Sequence, residues 1–195
     1  MTHLVYLASN SPRRLQLLQS IGLEPQKIEI DVDESVYESE GAIDYVKRVS
    51  RLKAEAARLK RQQLNLPQAP IVTADTTVSL VGQIMGKPLS ALHAKKMLKT
   101  LSGQTHQVIT SVCIVTDEQF FQETVLSDVR FKLLSECEID AYIATGEPLD
   151  KAGAYGIQSL GGMFVNHLSG SYSGVVGLPL YETALLLKRA GIHVL

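Results

Sequence analysis

The sequence predicts an α/β protein built on a mixed β-sheet, and three observations support this fold class. Segments with the patterns of strands and helices alternate along the chain. Gly82-Gln83 reads as the turn of a hairpin, so at least one pair of strands runs antiparallel. The segment from His106 to Thr116 is apolar on both of its faces, as a central strand is.

The first half of the chain predicts two strands and two helices before the hairpin. An apolar strand begins at Leu4, and a helix begins at Pro12, where a missing N–H costs nothing, and ends at Gly22. Lys27 to Val32 alternates like a strand, and Ala42 to about Gln63 forms the longest helical pattern. The apolar stripe of this second helix comprises Ile43, Val46, Val49, Leu52, Ala56 and Leu59.

The second half of the chain continues the alternation. A buried strand opens at Ile71 and is followed directly by Asp75, and Ser90 caps a helix from Ala91 to Leu101. Ser135 and Glu138 form a capping box at the start of another helix. The remaining predicted elements are strands over Phe120–Lys132 and Met163–Leu168 and a final helix after Pro179.

Length and composition restrict the classes of function. A chain of 195 residues can form one large α/β domain or two small lobes, and we expect one domain over residues 1–195. A net charge of −1 disfavours non-specific binding of nucleic acid or membranes. Cys113 and Cys137 form no C-x-x-C pair, which favours buried free thiols in a reducing compartment. The chain shows neither a signal-peptide pattern nor an apolar run long enough to cross a bilayer, so we expect a cytoplasmic protein.

The first turn of the first predicted helix carries two arginines. Ser11 suits the N-cap, with its hydroxyl accepting from a first-turn N–H, and Arg13 and Arg14 follow Pro12. Cations here oppose the helix dipole, which suggests that an anion holds them at a helix N-terminus. An ordinary capped helix with two solvated arginines is an equally weighted alternative on this stretch alone.

Several charged or amide side chains stand at points where strands and turns end. Asp75 follows a buried strand, where an unpaired carboxylate is expensive, so a functional role is favoured over a structural one. Considered singly, the acidic turn at Glu34 is typical of a solvated surface. Lys53 taken alone is typical of a snorkelling lysine, and Lys87 of a lysine in a turn. The full set is Arg13, Arg14, Glu34, Lys53, Asp75, Lys87, Lys151 and Gln158.

Together these residues suit a polyphosphate bound with a divalent metal. Mg²⁺ takes one or two carboxylates plus phosphate oxygens and waters, arginine matches phosphate geometry, and a carboxylate can deprotonate water. Other mechanisms lack their motifs, because the chain has no G-x-G-x-x-G after its first strand, no Walker A motif, no G-x-S-x-G and no H-E-x-x-H.

Six short blocks of the sequence resemble the Maf family, in that family's order and over nearly the whole chain. They are Ser9-Asn10-Ser11-Pro12-Arg13-Arg14, Ala74-Asp75-Thr76, Gly86-Lys87-Pro88, Ser102-Gly103-Gln104-Thr105-His106, the nine-residue run from Asp150 to Gln158, and Val176-Gly177-Leu178-Pro179-Leu180. The resemblance implies a nucleoside triphosphate pyrophosphatase with an elongated two-lobed α/β fold, similar to the inosine triphosphatases, and a cleft between its lobes. It also implies a divalent cation (Mg²⁺ or Mn²⁺), a homodimer, and roles in removing modified nucleotides and in cell-division arrest.

The same resemblance implies roles for individual residues. Asp75 matches the catalytic proton acceptor, and Glu34 and Lys87 match further catalytic positions. Glu34 and Asp75 are then the expected metal ligands. Substrate binding falls to four further polar or basic residues and to the three positions that divide the family by substrate. The four are Ser9, Ser11, Arg14 and Lys53, which we expect around the phosphates and the helix start, and the dividing positions are Arg13, Thr76 and Gln158.

The substrate-dividing trio resembles the branch of the family that acts on dTTP and UTP. Uracil and thymine present a carbonyl beside an N–H, and the Gln158 amide can donate to one and accept from the other. The 7-methyl-GTP branch usually carries Trp, Gln and Glu at these positions. Thr77 and Gly174 depart from the family's commoner residues, an aliphatic residue and Asn or Ala respectively, without touching the trio.

Two alternatives remain beside this prediction. One is a purine-directed house-cleaning enzyme of the inosine triphosphatase kind. The other is a regulator that binds nucleotide or a division partner without turnover, against which the intact set of Asp75, Glu34 and Lys87 argues, because a pure binder needs no base.

Overall fold

The computed structural model describes residues 4–194, which form a seven-stranded mixed sheet with helices on both faces. The strands are β1 (Tyr6–Leu7), β2 (Gln26–Lys27), β3 (Ile71–Leu80), β4 (Gln83–Met85), β5 (Thr105–Val115), β6 (Phe120–Phe131) and β7 (Val165–Ser169). The helices are α1 (Pro12–Ser20), α2 (Ala42–Gln63), α3 (Ala91–Leu101), α4 (Glu136–Ala144), α5 (Tyr172–Val176) and α6 (Leu180–Arg189). The predicted mixed α/β sheet with flanking helices is therefore confirmed.

The strands lie in the order β2-β1-β3-β5-β6-β7, with β4 also paired to β3. β1 runs parallel to β2 and β3, and the remaining pairs are antiparallel. The long strands β3, β5 and β6 form the centre, and the predicted hairpin joins β3 to β4. This arrangement places β1 and β4 on the same side of β3, at opposite ends of that strand.

Helices cover the two faces of the sheet differently. On one face, α2 packs Ala54 and Ala57 against a cluster containing Ile71 and Cys113. On the other face there are two clusters, one beneath α1 and α6 around Val72 and the other beneath α3 and α4 around Val78. Successive residues of a strand point to opposite faces, so even-numbered positions of β3 face α1 and α3, and odd-numbered positions face α2.

The even-numbered face of β3 turns polar between its two apolar clusters. Thr76 lies between Ala74 of the first cluster and Val78 of the second, and it pairs across the sheet with Thr110. The two apolar cores of this face are thereby separated by a polar strip. The cleft described below opens over this strip.

Several helix boundaries are confirmed. α2 spans the predicted residues 42–63, Ser90 accepts from the His93 N–H at the start of α3, and the Ser135 capping box is present at α4. No helix within residues 4–194 is long and apolar enough to cross a membrane. The prediction of one domain over residues 1–195 stays a prediction.

Other local predictions are wrong, for identifiable reasons. β2 comprises only Gln26 and Lys27, because the chain after it leaves the sheet, although Ile28 is still buried. β7 begins at Val165 rather than Met163, since residues 160–164 form a 3₁₀ turn. Ser11 occupies the N-cap of α1 without a side-chain capping hydrogen bond. Cys137 is exposed, so only Cys113 is the buried thiol that was expected.

The buried stripe of α2 also differs from the predicted one. Ile43 and Leu59 are exposed, whereas small residues and one charged residue are buried. The buried set is Ala42, Val46, Val49, Ser50, Ala54, Ala57 and Arg61. Alanine and serine allow the helix to approach the sheet closely. Side-chain size therefore determines which face of α2 is buried, and a prediction from hydrophobicity alone placed that face wrongly.

Candidate active site

A gap in the pairing of β3 creates the candidate active site. On one edge, β1 pairs with Ile71 and Val72, and β4 pairs with Val78 to Leu80. Between these points, residues 73–77 pair only with β5 among the strands of the described chain. The sequence predicted that the strand ends before Asp75, but β3 continues through it, and it is the neighbouring strand that ends. Side chains from both faces of the sheet can therefore reach one opening.

Asp75 is the buried carboxylate at this gap. Its side chain is 7% exposed, and Oδ1 accepts a hydrogen bond from Lys53 Nζ at 2.8 Å. Lys53 Nζ also lies 2.9 Å from Glu34 Oε1, so one ammonium joins the two carboxylates. The Tyr45 hydroxyl donates to the Glu34 backbone carbonyl at 3.1 Å and ties the otherwise exposed Glu34 segment to α2.

Burial raises the pKa of Asp75 above its ordinary value, while the positive charges of Lys53 and Arg14 oppose that rise. The second carboxylate oxygen, Oδ2, is buried and has no hydrogen-bond partner among residues 4–194. An unsatisfied buried oxygen on an ionisable group is costly, and such groups concentrate at functional sites.

Arg14 lies on the opposite face of the sheet and is buried by protein contacts. Nε donates to the Gly177 carbonyl at 2.8 Å, and the terminal nitrogens donate to Ser9 Oγ at 3.1 Å and Thr76 Oγ1 at 3.2 Å. Burial lowers the pKa of Arg14, and the charges of Asp75 and Glu34 oppose that shift. Gly177 has a φ of +129°, a backbone conformation that residues with a Cβ rarely adopt, which explains a glycine at this contact.

The Thr76 hydroxyl forms part of a relay of hydrogen bonds. It lies 2.9 Å from Thr110 Oγ1, which donates to the Gly174 carbonyl at 2.7 Å. Because Thr110 uses its proton on that carbonyl and Arg14 donates to Thr76, the Thr76 proton points to Thr110. The relay thus links α1, β3, β5 and the α5 segment beneath the cleft.

The rim of the cleft carries the remaining predicted residues. Arg13 NH1 lies 3.4 Å from Asp150 Oδ2, and Lys151 Nζ donates to Asp150 Oδ1 at 2.7 Å. Lys87 and Gln158 are exposed at the opening and make no side-chain hydrogen bond to another residue of the described chain.

The structure brings all ten predicted site residues to one cleft of about 490 Å³. They are Ser9, Ser11, Arg13, Arg14, Glu34, Lys53, Asp75, Thr76, Lys87 and Gln158. The location is observed, whereas the roles assigned to these residues stay predictions.

Sequence reasoning missed other contributors to the site. Tyr45 lines the cleft and lies four and eight residues before Val49 and Lys53, a helical spacing that could have placed it on their face. Thr110 and Gly177 hold the Thr76 and Arg14 side chains from distant parts of the chain, and no local pattern signals those partnerships.

Comparison with known proteins identifies the family of this chain. The family model described as "Maf: Maf-like protein" matches residues 4–190. A Haemophilus ducreyi protein named "Nucleoside triphosphate pyrophosphatase" is 54% identical over 191 residues, covering 98% of this chain and 97% of its own. The chain belongs to the Maf family.

Two further relatives carry a more specific name. Proteins from Chromobacterium violaceum and Pasteurella multocida, both named "dTTP/UTP pyrophosphatase", are each 50% identical, and the alignments cover 96–97% of the chains. Among solved structures, the Staphylococcus aureus Ham1 protein aligns with a TM-score of 0.46 and 16% identity over 66% of this chain and 71% of its own.

The charge of the cleft of this Maf protein is nearly balanced. Its lining includes the cations Arg13, Arg14, Lys53, Lys87 and Lys151 and the acids Asp31, Glu34, Asp75 and Asp150. No group of three or more His, Cys, Asp or Glu residues within 4–194 is arranged to hold a metal by itself. Mg²⁺ needs fewer protein ligands when phosphate oxygens supply the rest. Asp75 Oδ2, which has no partner among the residues that the structure describes, and the nearby Glu34 carboxylate fit such a shared site.

Proposed function

We propose that this Maf protein hydrolyses dTTP and UTP to the nucleoside monophosphate and pyrophosphate. The names of its close relatives support the substrate class. The observation that carries the proposal is the buried Asp75 carboxylate at the gap in β3, joined through Lys53 to Glu34 and opposite a helix N-terminus with two arginines.

Asp75 would act as the proton acceptor. Hydrolysis to a monophosphate and pyrophosphate breaks the link between the α- and β-phosphates and adds water, which must lose a proton. A carboxylate with a raised pKa is a better base than an ordinary one, provided that it stays ionised. The Lys53 ammonium supports that ionised state, because it lies 2.8 Å from Oδ1. The other oxygen, Oδ2, has no hydrogen-bond partner in the described part of the chain and can face the water.

Glu34 and Asp75 would hold a divalent cation, Mg²⁺ or Mn²⁺, together with phosphate oxygens. Such a cation, when bound, neutralises phosphate charge during the reaction. Around it, Glu34 is kept in place by Lys53 and by the Tyr45 contact to its backbone.

The phosphates would lie at the start of α1. The first-turn N–H groups receive no side-chain cap from Ser11, and Ser9 Oγ accepts from the Ser11 N–H instead. A helix N-terminus with free N–H groups favours an anion. Arg14 is fixed by Ser9, Thr76 and Gly177, which leaves part of its guanidinium for phosphate, and the exposed Lys87 would approach from the opposite rim.

The base would be read by Gln158 at the rim of the cleft. Its amide has both a donor and an acceptor, as the uracil or thymine edge requires. Arg13, held by Asp150, would border the same pocket. Thr76 would act indirectly, since its hydroxyl is bonded to Arg14 and Thr110.

A nucleotide panel tests the proposal. We expect kcat/KM to be highest for dTTP and UTP among dTTP, UTP, CTP, GTP and 7-methyl-GTP, with pyrophosphate as product and activity dependent on Mg²⁺ or Mn²⁺. Gln158→Glu removes the donor for the pyrimidine carbonyl, and an unpaired buried group costs about 1–3 kcal/mol, so kcat/KM for dTTP and UTP should fall about fivefold to hundredfold. Adding Arg13→Trp and Thr76→Gln should shift preference towards 7-methyl-GTP.

Three results would count against the proposal. A wild-type preference for purines would support the inosine-triphosphatase-like alternative, and binding without pyrophosphate release would support a regulator. An unchanged ranking in Gln158→Glu would remove base reading from that residue. The homodimer, the cytoplasmic location and the roles in excluding modified nucleotides and in cell-division arrest stay predictions.

A further inference from the structure

The loop that carries Gln158 is folded tightly onto itself. A Cβ on Gly161 would stand 2.7 Å from the Gly156 carbonyl oxygen, and one on Gly162 would stand 2.5 Å from the Ile157 carbonyl oxygen. Both distances are shorter than real Cβ contacts, so only glycine fits at these two positions. The segment from Gly156 to Gly162 therefore presents Gln158 from a compact turn.

Two side chains outside the cleft lining hold both ends of this turn. Tyr142 Oη accepts from the Gly156 N–H at 3.2 Å and donates to Glu147 Oε1 at 2.8 Å. The Glu147 carboxylate also accepts from the Leu160 N–H through Oε2 and from the Gly161 N–H through Oε1, each at 3.3 Å. Four hydrogen bonds thus join the start of the turn, a tyrosine, a carboxylate and the end of the turn.

Both holding residues are themselves fixed. The Tyr142 ring is buried and packs edge-on against Phe164, with the ring centroids 5.0 Å apart. The Glu147 backbone carbonyl accepts from Lys151 Nζ at 2.7 Å. Burial opposes ionisation of Glu147, but the nearby Ser159 side chain, the Tyr142 hydroxyl and the two amides outweigh it and lower its pKa, so the charged acceptor form dominates at neutral pH.

We propose that Tyr142 and Glu147 are positioning residues that set base selectivity by fixing the turn that presents Gln158. The proposal rests on the proposed function, in which Gln158 reads the base. Neither residue lines the cleft, so their influence must pass through the backbone of the turn. Polar readout depends on placement, because a donor displaced by about 1 Å no longer pairs with its acceptor.

The test compares Tyr142→Phe with Gln158→Ala in the full-length protein. Tyr142→Phe keeps the ring packing and removes the hydroxyl that joins Gly156 to Glu147. We expect it to reduce the ratio of kcat/KM between the best and worst nucleotides of the panel about as much as Gln158→Ala does, by about tenfold. The loss should appear as a higher KM for the preferred nucleotide, with kcat at saturation within about twofold of the wild type, because the reacting groups at Asp75 are untouched.

Glu147→Gln is the second variant and keeps the proposal testable if Tyr142→Phe does not fold. Its amide nitrogen would face a backbone N–H, which breaks the hydrogen bond to Leu160 or to Gly161. We expect the same reduction in the ratio of kcat/KM between the best and worst nucleotides. We call Tyr142 and Glu147, with their four hydrogen bonds, the clamp. Tyr6→Phe is the matched control, since the Tyr6 hydroxyl donates to the Pro67 carbonyl at 3.2 Å in a different part of the fold. We expect that variant to lose some thermal stability and to keep the wild-type nucleotide ratio.

The outcomes separate this proposal from the proposed function. If Gln158→Ala reduces the ratio of kcat/KM between the best and worst nucleotides while Tyr142→Phe and Glu147→Gln leave it unchanged, positioning by Tyr142 and Glu147 is overturned. If Tyr6→Phe reduces the nucleotide ratio as much as Tyr142→Phe does, the positioning proposal is overturned as well, because general destabilisation then explains the effect. If Gln158→Ala has no effect, selectivity does not depend on this turn, and the proposal fails. A wild-type preference for a purine overturns the proposed function, yet the comparison of Tyr142→Phe with Gln158→Ala still decides the role of the clamp.

Discussion

Lys53 Nζ lies 2.8 Å from Asp75 Oδ1, and this ion pair joins the middle of α2 to the unpaired edge of β3. The side chains are 12% and 7% exposed, so both charges are largely removed from water. A buried ion pair is weak evidence for stability, because desolvation offsets its attraction. Its position at the cleft instead favours a role in keeping Asp75 ionised.

Replacing Asp75 should separate activity from stability. Asp75→Asn keeps the shape and removes the basicity, so turnover of dTTP should fall by about a hundredfold or more if Asp75 is the proton acceptor. Burial raises the folded-state pKa of Asp75, and a group shifted in this direction stabilises the fold below its unfolded pKa and loses that contribution as the pH rises through its folded pKa. At neutral pH its ionised form therefore costs stability. Because Lys53 keeps Glu34 as a carboxylate partner, the variant should be at least as stable as the wild type.

Turnover assays and urea unfolding at pH 7 measure both effects. Asp128→Asn is the matched control, since Asp128 is exposed on β6 and the same substitution there should change neither quantity. Near-wild-type turnover in folded Asp75→Asn would remove the proton-acceptor role.

Lys87 should affect every nucleotide alike. Its exposed ammonium lines the cleft, and loss of a charge-assisted contact to phosphate costs about 1.5–3 kcal/mol, or about tenfold to hundredfold in kcat/KM. We expect Lys87→Ala to lower kcat/KM for dTTP, UTP, CTP and GTP by the same factor, whereas Lys96→Ala, an exposed lysine on α3, should change none of them. A loss confined to one base would contradict a phosphate role.

The sequence could predict most of the fold because its strongest patterns are local. The helical periodicity over the 22 residues of α2 depends on neighbours within a few residues, and so do the caps at Ser90 and Ser135. The position of Asp75 relative to the sheet was not predictable in this way. The strand that carries Asp75 continues through it, and the gap exists because β1 ends opposite Val72 and β4 ends opposite Val78. Where those two strands end depends on chain segments that lie outside β3.

The site residues were predictable as chemical types but not as partners. The Asp75, Glu34 and Lys53 side chains stood out singly, yet the sharing of one ammonium by two carboxylates needs α2, β3 and the segment after β2 to meet. The buried Arg61 at the end of α2 shows the same limit, since its partner Asp117 lies in the turn between β5 and β6.

The ion pair between Arg61 and Asp117 should be a strong structural contact. The Arg61 side chain is 4% exposed and is held by Asp117 and by the Ala69 carbonyl, so Asp117→Ala leaves a buried charge without its carboxylate. Breaking a buried pair costs about 3–5 kcal/mol, and the partial exposure of Asp117 places the expected loss near the lower end, at about 3 kcal/mol.

A second carboxylate substitution gives the contrast. Glu136→Ala removes two ion pairs at once, to Lys95 and Lys99, but the Glu136 side chain is 61% exposed and neither lysine is buried, at 27% and 47% exposed. Exposed pairs contribute about 0–1 kcal/mol, so this variant should lose less than Asp117→Ala in urea unfolding despite losing more contacts. Equal losses in the two variants would show that the burial of Arg61 does not govern the cost.

His106 should make the fold sensitive to mild acid. The side chain is buried, its Nε2 lies 2.8 Å from the Tyr155 hydroxyl, and burial lowers its pKa from 6.5 to about 4. A lowered pKa means that the unfolded chain binds the proton first, so stability is fully present above pH 6.5 and is lost as the pH falls towards 4. A shift of this size corresponds to about 3 kcal/mol at 1.36 kcal/mol per pKa unit.

Carboxylates also titrate in this range, so the prediction concerns a difference between proteins. His106→Gln retains a polar group that can bond to the Tyr155 hydroxyl and does not titrate, and His167→Gln alters an exposed histidine on β7. We expect the free energy of unfolding, measured in urea at pH 7, 5.5 and 4, to fall by about 3 kcal/mol more in the wild type and in His167→Gln than in His106→Gln. The carboxylate contributions are common to all three proteins and cancel in the comparison. Parallel pH dependences would show that His106 accepts a proton in the folded state as readily as in the unfolded chain, and its burial beside Tyr155 would then have no consequence for acid stability.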